Sequence, residues 1–414
     1  MYEQITLPNG VRLLTEAMSG VRSAAVGIWV GAGSRMERNS EAGSAHFIEH
    51  MLFKGTPYRS ASKLAADMDA IGGQCNAFTT RDATCFYARS LDTHLSFAAD
   101  ILTEMFFDSL FAERDVESER GVILEEMDMY RDSPEDLVTE QLMAKCFPGA
   151  LGRPILGRPS TLAKLSGQSL RAFKEREYRP ERVVVSLCGS FRDQDVQRLS
   201  ERFSALRQQR KRPQVKCAYT PAVVLRRKRT EQNQLCLAWE GLPSGHEDRF
   251  AWQVLSTIFG EGLSSRLFQT VREQHGLCYS IGSFTGSYAE TGLFGIATAV
   301  GRETEMRALS LIGQEIGKIR QDGVTEQELS RARELIKANM VMGLESTVTR
   351  MNRIGSGVLQ LGRCLSVEEV IERYDAVTRE DVLRLAREIM TPEKLSFSAV
   401  GKLAGAEEYL SLLQ

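Results

Sequence analysis

An internal repeat of about half the chain length limits the folds open to this sequence more than any other feature. Residues 179–189 (RPERVVVSLCG) match residues 391–401 (TPEKLSFSAVG) at a constant offset, with proline, glutamate and glycine in the same places. Nearer the start of each half, residues 27–31 (GIWVG) resemble residues 237–241 (LAWEG). Each segment has the short apolar composition of a buried strand that ends at glycine. The chain is therefore predicted to contain two duplicated domains.

The predicted domain boundaries follow from length and composition. At 414 residues the chain is too long for one ordinary hydrophobic core. Residues 208–221 (QQRKRPQVKCAYTP) are polar, basic and contain proline, which is typical of an exposed linker. We expect an N-terminal domain over residues 1–207 and a homologous C-terminal domain over residues 222–414.

Local patterns predict an α+β fold in each half. Alternating strands at residues 2–7 and 11–16 flank a Pro-Asn-Gly turn. A helix near residues 61–71 ends at a glycine pair and leads into a hairpin of residues 74–80 and 83–89. Sequential strands joined by short turns favour an antiparallel sheet, and blocks of helix beside it complete the domain. The second half repeats this plan.

His46, Glu49 and His50 form an H-x-x-E-H string, in a chain with five histidines. On a helix, residues four apart are stacked neighbours, so the two imidazoles can bind one metal ion. Glu49 lies slightly aside on the same face, where it can reach a water held at that ion. The order is the reverse of H-E-x-x-H and is that of the inverzincin peptidases. The string predicts a zinc site together with its general base.

Local sequence supports a helix at this position. Apolar i, i+4 pairs within residues 47–52 lie away from the histidine face. Ser44 is the predicted N-cap, and Gly55 is the predicted end of the helix. The alternative is a core helix with two satisfied buried histidines, but it leaves Glu49 buried without a partner, which is costly.

A catalytic zinc site usually has three protein ligands and one open position. Residues 112–131 (AERDVESERGVILEEMDMYR) place Glu119, Val122 and Glu126 along one helical face. Glu126 is the predicted third ligand. Glu119, two turns earlier, is predicted to orient a ligand or tune the charge of the site. Taken alone, the segment also fits an acidic, solvated helix face.

These segments resemble the pitrilysin, insulin-degrading enzyme and mitochondrial processing peptidase family of zinc peptidases. Residues 46–56 (HFIEHMLFKGT) and 119–126 (ERGVILEE) carry the resemblance, and similarity extends over most of the chain. In that family a glutamate at this separation is the third zinc ligand, and the match falls on Glu126. A second family acid, seven positions earlier, matches Glu119.

The same resemblance implies where substrate binds. Asn76 and Ala77, on a predicted edge strand over residues 74–80, match an Asn-Ala pair on the family's substrate strand, where a peptide can add as an extra strand. Arg272 and Tyr279 match a pair that would bind substrate carbonyls and stabilise the tetrahedral oxyanion. From the residues alone, Asn76 is equally an ordinary polar residue near a turn, and arginine and tyrosine are common at partly exposed positions.

The resemblance also implies an assembly. Related proteins enclose substrate in a chamber of four such domains, so the two domains of this chain would form half of a clamshell. The part of the second half that corresponds to the zinc helix lies near residues 262–269 (GLSSRLFQ), which lack a histidine pair. One zinc ion per chain is therefore expected. We predict a homodimer in which the zinc helix of one subunit faces Arg272 and Tyr279 of the other.

Composition limits the partners and the compartment. A formal net charge of −2 with 26% charged residues offers no basic field for nucleic acid or an anionic membrane. The first ten residues lack the regions of a signal peptide, and no apolar run is long enough to span a bilayer, so a cytoplasmic enzyme is expected. The eight cysteines include no C-x-x-C pair, which predicts free thiols.

The favoured function is that of a zinc-dependent endopeptidase acting on peptides or unfolded polypeptides. Glu49 would take the proton of the attacking water and pass it to the leaving amine. One alternative is a catalytically inert structural subunit of the same family, against which the complete set of motif residues argues. The other is a zinc hydrolase acting on small molecules, but an edge strand beside the metal favours peptides.

Overall fold

The computed structural model describes residues 2–207 and 217–413. These residues divide into two compact units, each built from three stretches of the chain. The first unit holds residues 2–127, 153–207 and 342–366, and the second holds the remainder. Most of the predicted linker, residues 208–216, lies outside the described residues. The repeat did not anticipate that each half of the sequence gives one segment to the other half's unit.

The α-helices and the π-helix of the described residues fall in blocks between groups of strands. In chain order they are α1 (Ser44–Leu52), α2 (Ala61–Ala70), α3 (Leu95–Asp108), α4 (Glu113–Asp132), α5 (Pro134–Cys146), α6 (Pro159–Leu162), α7 (Gly167–Glu177), α8 (Asp193–Ser204), α9 (Arg249–Gly260), the π-helix Phe268–Gln274, α10 (Glu305–Asp322), α11 (Glu326–Gly343), α12 (Thr347–Leu361), α13 (Val367–Asp375), α14 (Arg379–Ile389) and α15 (Ala406–Leu410).

A six-stranded sheet forms the centre of the first unit. Its strands are β1 (Glu3–Thr6), β2 (Arg12–Ala17), β3 (Ser23–Val30), β4 (Gln74–Thr79), β5 (Thr84–Leu91) and β6 (Val183–Gly189). They lie in the order β1-β2-β6-β3-β5-β4. The β2–β6 pair is parallel and every other pair is antiparallel. β4 is therefore an edge strand, the position expected for residues 74–80 if a peptide is to pair with them.

Both faces of this sheet are buried, because successive side chains of a strand point to opposite sides. Val26 and Ile28 of β3 belong to the main core, together with residues of α1 and α3. Ala25 and Trp29 face the other way and pack with Met351 of α12. The second face is thus covered by a helix from the C-terminal half of the sequence.

Close backbone approach allows α12 to lie on β3. A Cβ atom at Gly355 would overlap Trp29 Nε1, and one at Gly27 would overlap the Met351 sulfur. Polar contacts fix the helix along the sheet: Arg350 Nη1 lies 2.7 Å from Glu16 Oε1 in a largely buried ion pair. The absence of a side chain at Gly27 and Gly355 therefore allows this helix to pack closely against the sheet.

The second unit repeats the arrangement. Its strands are β7 (Val223–Arg227), β8 (Asn233–Gly241), β9 (Cys278–Ser287), β10 (Gly292–Val300) and β11 (Ser396–Gly401), in the order β7-β11-β8-β10-β9. The β7–β11 pair is parallel and the others are antiparallel. This order matches β2-β6-β3-β5-β4 strand for strand, which agrees with the duplication read from the sequence.

Helix α5 completes the exchange between the halves. It comes from the N-terminal half of the sequence and packs on β8 and β11 of the second sheet. Gln141 Nε2 donates to Ser398 Oγ at 2.8 Å, and Ser398 Oγ donates to the Val138 carbonyl at 2.7 Å. α5 and α12 thus occupy corresponding places in the two units.

The predicted α+β class, with two sheets that are mainly antiparallel, is confirmed. The one parallel pair in each sheet arises because the strand late in each half inserts between two early strands. The eight cysteines are free thiols. Among the described helices, none combines the length and apolar character needed to cross a bilayer.

Gly355→Ala should destabilise the protein by about 1–3 kcal/mol, because the added methyl forces β3 and α12 apart. Gly317→Ala is the matched control, since Gly317 is also helical but has no heavy atom within 4 Å of a Cβ position. That control should leave stability unchanged or raise it by up to about 1 kcal/mol. Urea unfolding of both variants measures the difference. Equal midpoints would contradict the close-packing account.

Candidate active site

The H-x-x-E-H residues lie on α1, whose first residue is Ser44. The prediction of Ser44 as N-cap is wrong: the N-cap is Gly43, at φ +97°, where a Cβ atom would come within 2.7 Å of the Leu156 carbonyl. The capping acceptor is Glu37, whose carboxyl oxygens accept hydrogen bonds from the backbone N–H groups of Gly43 and Ala45 at 2.9 and 2.8 Å. Sequence reasoning missed Glu37 because it lies outside the usual capping window.

The helix ends at Leu52, three residues before the predicted stop at Gly55. Its apolar side, formed by Phe47, Ile48, Met51 and Leu52, is fully buried in the main core. On the opposite side His46 is 8% exposed, and Glu49 and His50 are partly exposed. The predicted division of the helix into two faces is therefore present.

The structure brings His46, His50 and Glu126 together as a group of three donors. Glu126 Oε2 lies 3.6 Å from His46 Nε2 and 3.7 Å from His50 Nε2. Two donors at about 2.0–2.1 Å from a tetrahedral zinc are about 3.3 Å apart. The group is thus near the separation that zinc requires, so small side-chain movements would complete it.

Burial keeps the imidazole of His46 neutral. It lowers the pKa of His46 to about 3, with a smaller contribution from the charge of His50, so the imidazole is neutral near pH 7. Its Nε2 atom faces Glu126, and its buried Nδ1 atom has no hydrogen-bond partner among the described residues, so no contact at Nδ1 fixes the tautomer. A neutral imidazole with a free lone pair is the form that binds zinc.

Glu119 holds the second histidine. Its buried carboxylate lies 2.9 Å from His50 Nδ1 and 2.5 Å from the ammonium of Lys54. Donation from His50 Nδ1–H to this carboxylate leaves the Nε2 lone pair pointing toward Glu126. Glu119 therefore lies beside His50, the second histidine of the motif. Lys54, four residues after His50, was missed, although its position in the motif segment was the available signal.

Glu49 lies beside the donor group and contacts the sheet. Its Oε2 accepts a hydrogen bond from the hydroxyl of Thr79 at 2.5 Å. Burial raises the pKa of Glu49, and the hydrogen bond from Thr79 opposes that rise. Burial also raises the pKa of Glu126. Thr79 was not predicted, because no local pattern links it to a residue thirty positions earlier.

The predicted substrate residues of the first unit lie on the edge strand. Asn76 is exposed, and its Oδ1 accepts a hydrogen bond from the Ala77 N–H at 2.8 Å. Both residues belong to β4, which packs against α1 and ends at Thr79. The strand that carries Asn76 and Ala77 is therefore the one that contacts Glu49.

Arg272 and Tyr279 lie together in the second unit. Arg272 belongs to the π-helix and Tyr279 to the edge strand β9. The guanidinium carbon of Arg272 lies 5.1 Å from the ring centre of Tyr279 and 4.6 Å from that of Phe268. Tyr279 is 77% exposed. The pair therefore presents a cation and a hydroxyl at one edge of the second sheet.

Comparison with known proteins gives the family. Residues 12–158 match the family model described as Insulinase (Peptidase family M16), and residues 164–336 match the Peptidase M16 inactive domain. Over 396 residues the chain is 39% identical to the uncharacterized zinc protease YmxG of Bacillus subtilis, covering 95% of this chain and 97% of that protein. An uncharacterized zinc protease of Streptomyces coelicolor is 39% identical over 409 residues, covering 96% and 89%. The chain belongs to peptidase family M16.

Solved structures agree on the fold. A protease from Helicobacter pylori superimposes with a TM-score of 0.90 at 19% identity, covering 97% of this chain and 99% of that one. A chain of complex III2 from Candida albicans gives 0.86 at 19% identity, covering 99% of each. Residues 164–336, which match the inactive domain, contain no second H-x-x-E-H string.

The cap of α1 gives a pH prediction. Burial raises the pKa of Glu37 to about 8 from 4.5, opposed by the hydrogen bonds from Ala45 and Gly43 and by the charge of Arg153. Because the folded pKa is the higher one, the folded state binds the proton more tightly. The stability that this group contributes is full below about pH 4.5 and is lost as the pH rises through about 8.

Glu37→Gln, which cannot ionise, should therefore lose the advantage that wild type has at low pH. The difference in unfolding free energy between wild type and Glu37→Gln should shrink by on the order of a few kcal/mol from about pH 5 to about pH 8.5. The lost cap hydrogen bond adds a constant cost at every pH. Denaturant unfolding of the metal-free proteins over that range measures the difference, and a pH-independent difference would disprove the prediction.

Proposed function

We propose that this chain is a zinc-dependent endopeptidase that cuts peptides or unfolded polypeptides. The observation that carries the proposal is the convergence of His46, His50 and Glu126, with Glu49 on the same side of α1. Membership of a family whose relatives are named zinc proteases supports the same reaction class.

The proposed metal is one zinc ion per chain, held by His46, His50 and Glu126. Two imidazole nitrogens and one carboxylate are a donor set that zinc takes in hydrolases, with the fourth position left open. Zinc, when bound there, would polarise the scissile carbonyl and make a water more acidic. Glu119 would hold His50 in the tautomer that ligation needs.

Glu49 is the proposed general base and then general acid. It would take a proton from the attacking water and deliver it to the leaving amine. A pKa raised by burial supports this role, because a carboxylate that binds its proton more tightly is a better base. Its place beside the donor group, where it is not itself a ligand, leaves it free for proton transfer.

The open edge of β4 is the proposed substrate site. β4 pairs with β5 on one side, so its other backbone edge is available to a peptide that adds as a strand. Asn76 and Ala77 would contact that peptide. Main-chain pairing gives affinity with little sequence preference, which suits an endopeptidase with varied substrates. Arg272 and Tyr279 are proposed to bind substrate carbonyls and stabilise the oxyanion.

A small-molecule zinc hydrolase and an inert subunit remain the competing functions. An exposed strand edge beside the donor group favours a peptide over a small molecule, which would need an enclosed pocket. The complete donor set, with Glu49, argues against an inert subunit. A quenched-peptide assay with and without chelator distinguishes the zinc peptidase from both alternatives. The cytoplasmic location remains a prediction from the sequence.

Glu49→Gln should abolish peptide cleavage while zinc stays near one ion per chain, because the change removes the base and no ligand. Glu126→Gln is the matched comparison, a single amide substitution that weakens the ligand set. It should lose zinc and activity together. Metal analysis and peptide turnover of both variants provide the test. Retained turnover in Glu49→Gln would remove Glu49 as the base, and full zinc in Glu126→Gln would place the third ligand elsewhere.

We also propose that the active form is a homodimer with sites shared between subunits. The resemblance to proteins that form four-domain chambers supports this, since the chain supplies two domains. Mixing inactive Glu49→Gln with inactive Arg272→Ala should restore part of the peptidase activity, because one kind of mixed site has no substituted residue. Each variant mixed with wild type controls for subunit exchange. A mixture that stays inactive while exchange occurs would show that each chain acts alone.

A further inference from the structure

Among the residues that the structure describes, Thr79 is the one whose side chain donates a hydrogen bond to Glu49. The Oγ1–Oε2 distance is 2.5 Å, and the bond joins the last residue of β4 to the middle of α1. Neither residue is fully exposed. Such a short bond to a carboxylate is of the charge-assisted kind, which is roughly twice as strong as a neutral one.

The surroundings of Thr79 direct its proton to Glu49. A threonine hydroxyl has one proton to donate. The other nearby oxygen, Thr84 Oγ1, lies 3.4 Å away, whereas Glu49 Oε2 is nearer and charged when ionised. Thr84 gives its own proton to the Ala32 carbonyl at 3.0 Å in a buried bond. Thr84 is thus left as a weaker, more distant acceptor.

Glu49 needs such a partner to hold its carboxylate plane. The last side-chain torsion of glutamate is broad and roughly two-fold, so rotamer preference alone does not fix where its oxygens lie. With Oε2 held by Thr79, the plane is set and Oε1 remains free for proton transfer. An error of about 1 Å in the placement of a reacting group can cost about 100-fold in rate.

We propose that Thr79 is the positioning residue of the general base, and that its hydrogen bond ties Glu49 to the strand on which the peptide binds. The inference rests on the proposed peptidase function. Asn76, Ala77 and Thr79 belong to one six-residue strand, so a peptide paired with that strand takes its register from the same backbone that orients Glu49. Substrate and base are therefore aligned by one element.

Thr79→Val removes the hydroxyl and keeps the shape of the side chain. It should lower kcat by about 10- to 100-fold, the usual range for a residue that orients a catalytic group, with KM changed less than about 3-fold. Thr79→Ser retains the donor and should recover most of kcat. Thr103→Val is the matched control: it removes a buried hydroxyl that donates to the Ala99 carbonyl at 2.8 Å within α3, and it should leave kcat unchanged.

Four further measurements separate positioning from a structural role. Zinc content of Thr79→Val should equal that of wild type, and its thermal midpoint should fall by only a few degrees, the loss expected for one hydrogen bond, while a crystal structure of the zinc-loaded variant should show the Glu49 carboxylate displaced. In a Glu49→Gln background, Thr79→Val should not further lower whatever trace of turnover remains above the uncatalysed rate, because a residue that acts through Glu49 has nothing left to position.

The outcomes distinguish this inference from the proposed function. Wild type without peptidase activity, or Glu49→Gln with normal turnover, would overturn the proposed function and this inference with it. An active wild type with normal kcat in Thr79→Val would overturn the inference alone. Three other results would also overturn the inference alone. They are a raised KM at constant kcat, a fall in kcat accompanied by loss of zinc or of the fold, and a loss in the Glu49→Gln background as large as the loss in the wild-type background.

Discussion

Burial of one face of α1 is the interaction on which the rest of the site depends. Phe47, Ile48, Met51 and Leu52 are fully enclosed, and each contributes roughly 1.5–3 kcal/mol relative to exposure. No single polar contact on the other face approaches that total, since a hydrogen bond to a charged group is worth about 1.5–3 kcal/mol. The core therefore fixes the rotation of the helix, and that rotation points the histidines toward Glu126 before any metal binds.

The second helix of the site, α4, is held by apolar burial together with one buried, paired carboxylate. On α4, the buried apolar residues Val116, Ile123 and Met127 anchor the helix, while Glu119 is buried among them at 4% exposure. A buried carboxylate is stabilised only if it is paired, and here His50 and Lys54 provide the partners. Glu119 therefore links α4 to the end of α1. Glu126 lies two turns further along α4, so the same buried apolar residues fix its position.

Local periodicity placed His46 and His50 on one helical face, and Glu119 and Glu126 on another, because residues separated by three, four or seven positions share a face. The family resemblance then singled out the two glutamates. The duplicated fold followed from the repeated strand segments for a similar reason. Thr79 and Glu37 did not follow, since their bonds cross between elements that only tertiary packing brings together. Neither did the exchange of α5 and α12: an amphipathic helix needs an apolar surface, but its pattern does not say which of two similar sheets supplies it. The need for a glycine at position 355 arises only where α12 packs against β3, so the sequence alone did not predict it.

The duplication explains how one fold provides two kinds of site. Because the strand orders correspond, β4 and β9 hold equivalent edge positions, and each offers one unpaired backbone edge in its sheet. In the first unit the element beside that edge is α1, the helix that carries His46, Glu49 and His50. In the second, the corresponding region has no histidine pair, and the edge strand carries Tyr279 with Arg272 stacked on it. The sheets themselves impose neither chemistry, since function lies in side chains placed around a shared scaffold. The same sheet edge is therefore accompanied by a histidine-bearing helix in one unit and by an exposed arginine–tyrosine pair in the other.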